Sequence, residues 1–232
     1  MIKKSVYKKI PYENKIDIFS FDLETSKIKF EKGFEIWKCQ VSKLKKDMEF
    51  FAGFLSSDEV KKARSLKIEN DRLLFIISRS ILRFLISGYL EKEPDKICFS
   101  YGDKGKPEII LSKDEPYFSF NLSHSGDIIL ICFSKFSHCG IDVEKFRKIK
   151  NFKLIVQKYF HSEEKDFLNC LPRNLQEDMF FKIWTLKEAY IKAHGLGAGK
   201  SFESFSVFLN KLQNSNFFSF EPEKGYFGGA FF

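Results

Sequence analysis

The sequence predicts two similar α/β halves with a site between them, and three observations carry that prediction. Short alternating segments such as IDIFSFDL and FEIWKCQV read as strands. Two pairs of amphipathic segments read as helices. The pairs also share a layout. SSDEVKKARSL…DRLLFIISRSILRFLI and HSEEKDFLNCL…DMFFKIWTLKEAYIKA each open on a Ser-acid cap, pass through a short helix and a loop, and place Asp before a long helix. Asp71 and Asp178 correspond if about two residues are gapped. Identity between the segments is too low to prove a repeat; the joint falls near 134–140.

Each element has its own local signal. Residues 15–50 alternate like strands between charged or Gly-containing turns. Ser56 and Glu59 have capping-box spacing, so a helix follows over about 57–67. A second helix spans about 70–91, with Leu73, Leu74, Ile77, Ile81, Phe84 and Leu85 at helical spacing, and stops near Pro94. YGDKGKPEI is a turn-rich basic loop. FSFNLSHSGDIILICFS reads as strand, turn at Ser125-Gly126-Asp127, and strand; HCGIDVEKF reads as another short strand. HSEEKDFLNCL and EDMFFKIWTLKEAYIKAHG are helices, the second ending at Gly195 as a helix C′ position does. FESFSVFL and GYFGGAFF read as strands closing a sheet.

Composition narrows the function. The 232 residues, 44% hydrophobic with 29 Phe, describe a packed core and exclude a disordered chain. A net charge of +8 favours an acidic partner or an anionic ligand. The basic residues are spread along the chain without a run of like charges, which weakens a nucleic-acid reading. Cys39, Cys98, Cys132, Cys139 and Cys170 make no CxxC pair and have no His at zinc-ligand spacing, so they read as thiols in a reducing cytosol. MIKKSVYKKIPYENKID is basic with no apolar stretch behind it, which argues against a signal peptide. LLFIISRSILRFLISGYL is broken by Arg79 and Arg83 and is too polar to span a bilayer unaided. The expectation is a cytoplasmic protein with no membrane partner.

Four short motifs could carry chemistry. In GIDVE, strand alternation puts Asp142 and Glu144 on one face and Ile141 and Val143 on the other. Two carboxylates so placed repel unless a cation lies between them; taken alone they also fit a solvated strand edge. In IWTLKEAYIKAHGLG, Glu188 and Lys192 stand at i and i+4, which alone fits a surface ion pair worth about 0.3–0.5 kcal/mol. Against that, they share a stripe with Trp184 and Ile191, where an unpartnered acid is costly. A third carboxylate facing Asp142 and Glu144 completes an oxygen-rich magnesium site with room for phosphate. In NLSHSGD, His124 enters a turn between Ser123 and Ser125, whose hydroxyls can donate to phosphate oxygens; a lone structural His is the plainer reading. DKGKP offers Lys104 and Lys106 on a Gly-flexed loop suited to gripping a phosphate.

In their order and spacing, NLSHSGD, GIDVE and the W-x-x-K-E-A-x-x-K block resemble the 4′-phosphopantetheinyl transferase superfamily, in its larger, monomeric, surfactin-synthetase-type branch. The resemblance is strong over 101–199, moderate over 54–90 and weak at both ends. It implies an α+β fold of two similar α/β halves related by a pseudo-twofold axis, the 4′-phosphopantetheinyl transferase fold. Residues 1–134 form the N-terminal half with coenzyme A nucleotide contacts, and 135–232 the half with the magnesium-binding acids and the catalytic helix. The implied reaction moves the phosphopantetheine arm of coenzyme A to a serine of an acidic acyl or peptidyl carrier protein, releasing adenosine 3′,5′-bisphosphate. By position Asp142, Glu144 and Glu188 hold Mg²⁺, and Glu188, Lys192 and Asp142 carry the chemistry. Lys106, Ser123, His124, Lys104 and Lys187 bind the coenzyme, with Arg72 and Arg79 as candidates for its 3′-phosphate. Two other classes stay open. One is a magnesium-dependent nuclease, although such enzymes place a Lys two residues after a strand acid and position 146 is Phe. The other is a carrier-protein-binding module without catalysis, although none of the three acids is missing.

Overall fold

Alternation along the strands sorts their side chains onto two faces, and the faces stack into layers. The computed structural model describes residues 9–11, 17–20, 33–102, 105–135, 138–197, 202–208 and 217–232. In chain order these form β1 (Lys9–Pro11), β2 (Asp17–Ser20), β3 (Phe34–Gln40), α1 (Val41–Leu44), α2 (Met48–Ala52), α3 (Ser57–Ser65) and α4 (Glu69–Leu90). There follow β4 (Phe99–Tyr101), β5 (Pro107–Ile109), β6 (Ser119–Ser125), β7 (Ile128–Ser134) and β8 (Gly140–Lys145). The chain continues through α5 (Phe152–Tyr159), α6 (Ser162–Cys170), α7 (Arg173–Ala193), β9 (Phe217–Phe220) and β10 (Tyr226–Phe231). One sheet has the order β1-β2-β3-β7-β6, a second β8-β10-β9, and β4 pairs with β5. The β2–β3 pair is parallel; the other ladders are antiparallel.

The core explains the stacking. On β3 and β7, Trp37, Cys39, Ile129, Ile131 and Phe133 pack with Ile77, Ile81 and Leu85 of α4. The alternate residues Ile36, Ile128, Leu130 and Cys132 pack with Ile141, Val143, Tyr226 and Ala230 of the second sheet. The far face of that sheet lies against α7. A Cβ on Gly140 would stand 1.9 Å from Ala189 O, and one on Gly229 would stand 2.5 Å from the Thr185 carbonyl carbon. The helix therefore rests on bare backbone. The molecule is a mixed α+β sandwich of four layers: α4, sheet, sheet, α7. Among the described residues α4 alone has the length and apolar composition of a membrane span, and its apolar face is in this core.

Both helix pairs are locked the same way. Ser56 and Glu59 close the predicted capping box at α3, and Glu59 Oε2 also accepts from Arg83 Nε at 2.5 Å inside the protein. At α6 the cap is His161 rather than the predicted Ser: its ring accepts from Glu163 N, and Glu164 accepts from His161 N. Glu164 then pairs with Lys187 Nζ at 2.9 Å, both side chains 0% exposed. Arg83 and Lys187 each stand fourteen residues past the first residue of their helix, Glu69 and Arg173. Asp71 is the third residue of α4 and Asp178 the sixth of α7, so the acid–cation locks match without a gap where the aspartates need one of three residues.

Other expectations also change. The YGDKGKPEI loop carries the β4–β5 hairpin on its flanks. Residues 202–208 of FESFSVFL are not a strand: a 3-10 turn covers Phe202–Ser204, and the carbonyls of Phe202 and Phe205 are taken by Lys187 instead of a ladder partner. Helix α5 follows KFRKIK, where the sequence shows no start signal; Asn151 at its N-cap adopts a left-handed conformation and makes no side-chain cap bond.

Candidate active site

Strands β6 and β8 run side by side without a backbone ladder, and side chains join them. Asn121 Oδ1 accepts from Ile141 N at 3.0 Å, and Ser125 Oγ accepts from Lys145 N at 3.0 Å. Between them Ser123 Oγ donates to Asp142 Oδ1 at 2.8 Å. Positions 121, 123 and 125 share one face of β6 by alternation, which is why all three reach β8. From α7, Lys192 Nζ donates to the same Asp142 Oδ1 at 2.6 Å and to Ser123 Oγ at 2.9 Å. The second Asp142 oxygen, Oδ2, is buried and has no hydrogen-bond partner among the described residues. Glu144, one pleat on, accepts from Arg147 at 2.9 Å.

Glu188 stands one helical turn before Lys192. Burial raises its pKa above the usual carboxylate value; the Asp142 charge adds to the rise, Lys192 opposes it, and Glu144 adds a smaller share. The three acids thus feel one another as the sequence implies. They are not gathered into a formed cage: among the described residues no three His, Cys, Asp or Glu side chains are close enough together to hold a metal ion. In kind the donor set suits a hard cation, since all three are carboxylates and one has an orphaned buried oxygen.

Glu188 and Lys192 border a cavity of about 1140 Å³ that residues of both α4 and α7 line. Asp71, Ser78 and Arg79 line it from α4, His124 from β6, Lys106 from the β4–β5 turn, and Trp184, Glu188 and Lys192 from α7. His124 is exposed to it; desolvation lowers its pKa, the Lys192 charge lowers it further, and Asp71 opposes both. Arg79 lies over the Tyr101 ring at 5.8 Å. Trp184 meets Phe202 and Tyr159 edge-on, walling the C-terminal side.

The expected site residues divide by this geometry. Glu188, Lys192, Lys106, His124 and Arg79 line the cavity, and Ser123 and Asp142 form the cluster that holds the Lys192 ammonium. Glu144 is beside Asp142 and engaged by Arg147; it is outside the lining. Arg72 is half-buried and also outside the lining. Lys104 falls outside the described residues. Lys187 is corrected: its ammonium is turned into the core, held by Glu164 and two carbonyls, and cannot meet a coenzyme. Sequence reasoning passed over Asn121 and Asp71. The alternation in NLSHS was signal enough for Asn121; Asp71 was marked only as a repeat position, with nothing in ENDRL pointing it at a cavity.

Known proteins agree with the motifs and with each other. The 4′-phosphopantetheinyl transferase superfamily pattern matches residues 138–227, and that of the 4′-phosphopantetheinyl transferase N-terminal region matches 37–135. The 4′-phosphopantetheinyl transferase HetI of Nostoc sp. is 33% identical over 165 residues, 71% of this chain and 70% of that protein. Sfp of Bacillus subtilis, named for the same activity, is 31% identical over 163 residues, 70% of each chain. The ffp protein of Bacillus subtilis, also a 4′-phosphopantetheinyl transferase, is 30% identical over 158 residues, 68% of each. With patterns matched over 37–135 and 138–227 and relatives 30–33% identical over about 70% of their length, the chain belongs to the 4′-phosphopantetheinyl transferase superfamily.

Proposed function

We propose that the protein transfers the 4′-phosphopantetheine group of coenzyme A to a serine of an apo acyl or peptidyl carrier protein. The observation that carries the reading is the Lys192–Asp142–Ser123 cluster beside Glu188, on a cavity of about 1140 Å³ that Lys106, His124 and Arg79 also line. The serine oxygen attacks the β-phosphorus of the coenzyme, its proton passes to Glu188, and the bond from that phosphorus to the bridging oxygen breaks. Lys192 stabilises the charge on the departing adenosine 3′,5′-bisphosphate. His124 from β6 and Arg79 from α4 line the same cavity and are assigned to the nucleotide's phosphates. Asp142, Glu144 and Glu188 are the carboxylates that would hold a magnesium ion, which would supply positive charge against the diphosphate. A monomer acting in the cytoplasm on an acidic carrier is part of the same proposal.

Intact-mass measurement of an apo carrier protein incubated with this protein, coenzyme A and magnesium tests it. One added phosphopantetheine group, lost when EDTA is present, is the expected result. No addition to several carrier types, with magnesium-dependent coenzyme binding intact, would leave a binding module in place of an enzyme.

A further inference from the structure

Lys106 was expected to grip the coenzyme's phosphates, and its ammonium is found on a different partner. It follows Gly105, whose φ of +75° turns the chain tightly enough for Gly105 N to reach Gly102 O at 2.8 Å. From that turn Lys106 Nζ spans to α7 and donates to Lys192 O at 2.7 Å and Ala193 O at 3.0 Å. Carbonyls in the last turn of a helix lack partners within the helix and carry its negative end. A cation from the other side of the cleft supplies both donors and charge. Lys192 is thereby held twice: its carbonyl by Lys106, its ammonium by Asp142 and Ser123.

We propose that Lys106 is a positioning residue that latches the last turn of α7 across the cleft and so fixes where the Lys192 ammonium stands. The proposal rests on the transferase reading for its kinetic consequence and on hydrogen bonds alone for its structural one. A residue that orients Lys192 acts on the chemical step. A residue that binds a phosphate acts on coenzyme affinity, and on the preference for coenzyme A over 3′-dephospho-coenzyme A.

The experiment compares Lys106→Met and Lys106→Arg in the full chain. With an apo carrier protein, Lys106→Met is expected to lower kcat by about 10- to 100-fold, the scale of a small misplacement of a reacting group. The KM ratio between the two coenzymes is expected to stay at its wild-type value, and Lys106→Arg to recover most of the turnover. Amide hydrogen exchange on the free protein reads the latch without any turnover. In Lys106→Met the Gly195 and Leu196 amides, bonded to Lys192 O and Ile191 O, should exchange about tenfold faster while α4 amides do not change. A KM increase confined to coenzyme A, or unchanged exchange at Gly195 and Leu196, overturns the proposal. Should Lys106→Met fail to fold, Lys106→Gln, which keeps a donor on a shorter arm, carries the same comparison. A wild-type protein that labels no carrier would end the transferase reading, and the exchange result would still decide the latch.

Discussion

Lys187 and Lys192 lie five residues apart on α7 and have opposite fates. One turns inward to Glu164 and is 0% exposed; the other faces the cavity at 30%. Lys187 is therefore a stability residue. Lys187→Met strands a buried carboxylate, and a loss of about 3–5 kcal/mol is expected in denaturant unfolding. Replacing Glu164 by Gln in the same chain should recover part of it; no recovery would mean the pair is not the cause. Glu188→Gln tests the chemistry. It keeps shape and removes the base, so turnover should fall by about 10²-fold or more with the unfolding midpoint within error of wild type. Wild-type turnover in that variant would remove Glu188 from the mechanism.

The close approach of α7 to β8 and β10 explains why glycines stand at 140 and 229. At Gly140 an added Cβ collides with the Ala189 carbonyl, and the strand that must shift carries Asp142 and Glu144. Gly140→Ala is expected to cost about 1–3 kcal/mol, as overpacked cores do, and to lower carrier labelling at temperatures where the protein is still folded. Unchanged labelling would show that β8 can retreat without moving its acids. The elements were largely legible in the sequence. Periodicity and the Ser56–Glu59 box bounded α3 and α4 within about two residues, and NLSHSGDII gave the β6–β7 hairpin. What was not legible depended on distant partners. FESFSVFL has the look of a strand, yet its carbonyls are needed by Lys187. The motif W-x-x-K-E-A-x-x-K does not say which of its lysines faces the cavity, because Trp184, Lys187 and Glu188 at i, i+3 and i+4 fall within one broad arc of the helix and periodicity does not separate them. Nor could the sequence show that Lys106 reaches a helix end 86 residues away.

For the molecule as a whole, the +8 charge is a prediction about rates of encounter. If the carrier is acidic, its KM should rise several-fold between about 0.05 and 0.2 M NaCl while kcat holds, because exposed charges are screened over that range. A flat KM would remove charge from carrier selection. The two helix layers carry matched locks, Glu59–Arg83 and Glu164–Lys187, and differ at the next residue. Phe84 follows Arg83 where Glu188 follows Lys187, and Gly88 stands on α4 where α7 has Lys192. One layer is a wall and the other does the work. A calorimetric titration with coenzyme A should accordingly saturate at one equivalent per chain, since among the described residues only the α7 side of the cavity carries the Glu188–Lys192 pair. Any sigmoidal dependence on coenzyme concentration would have to arise from association between chains.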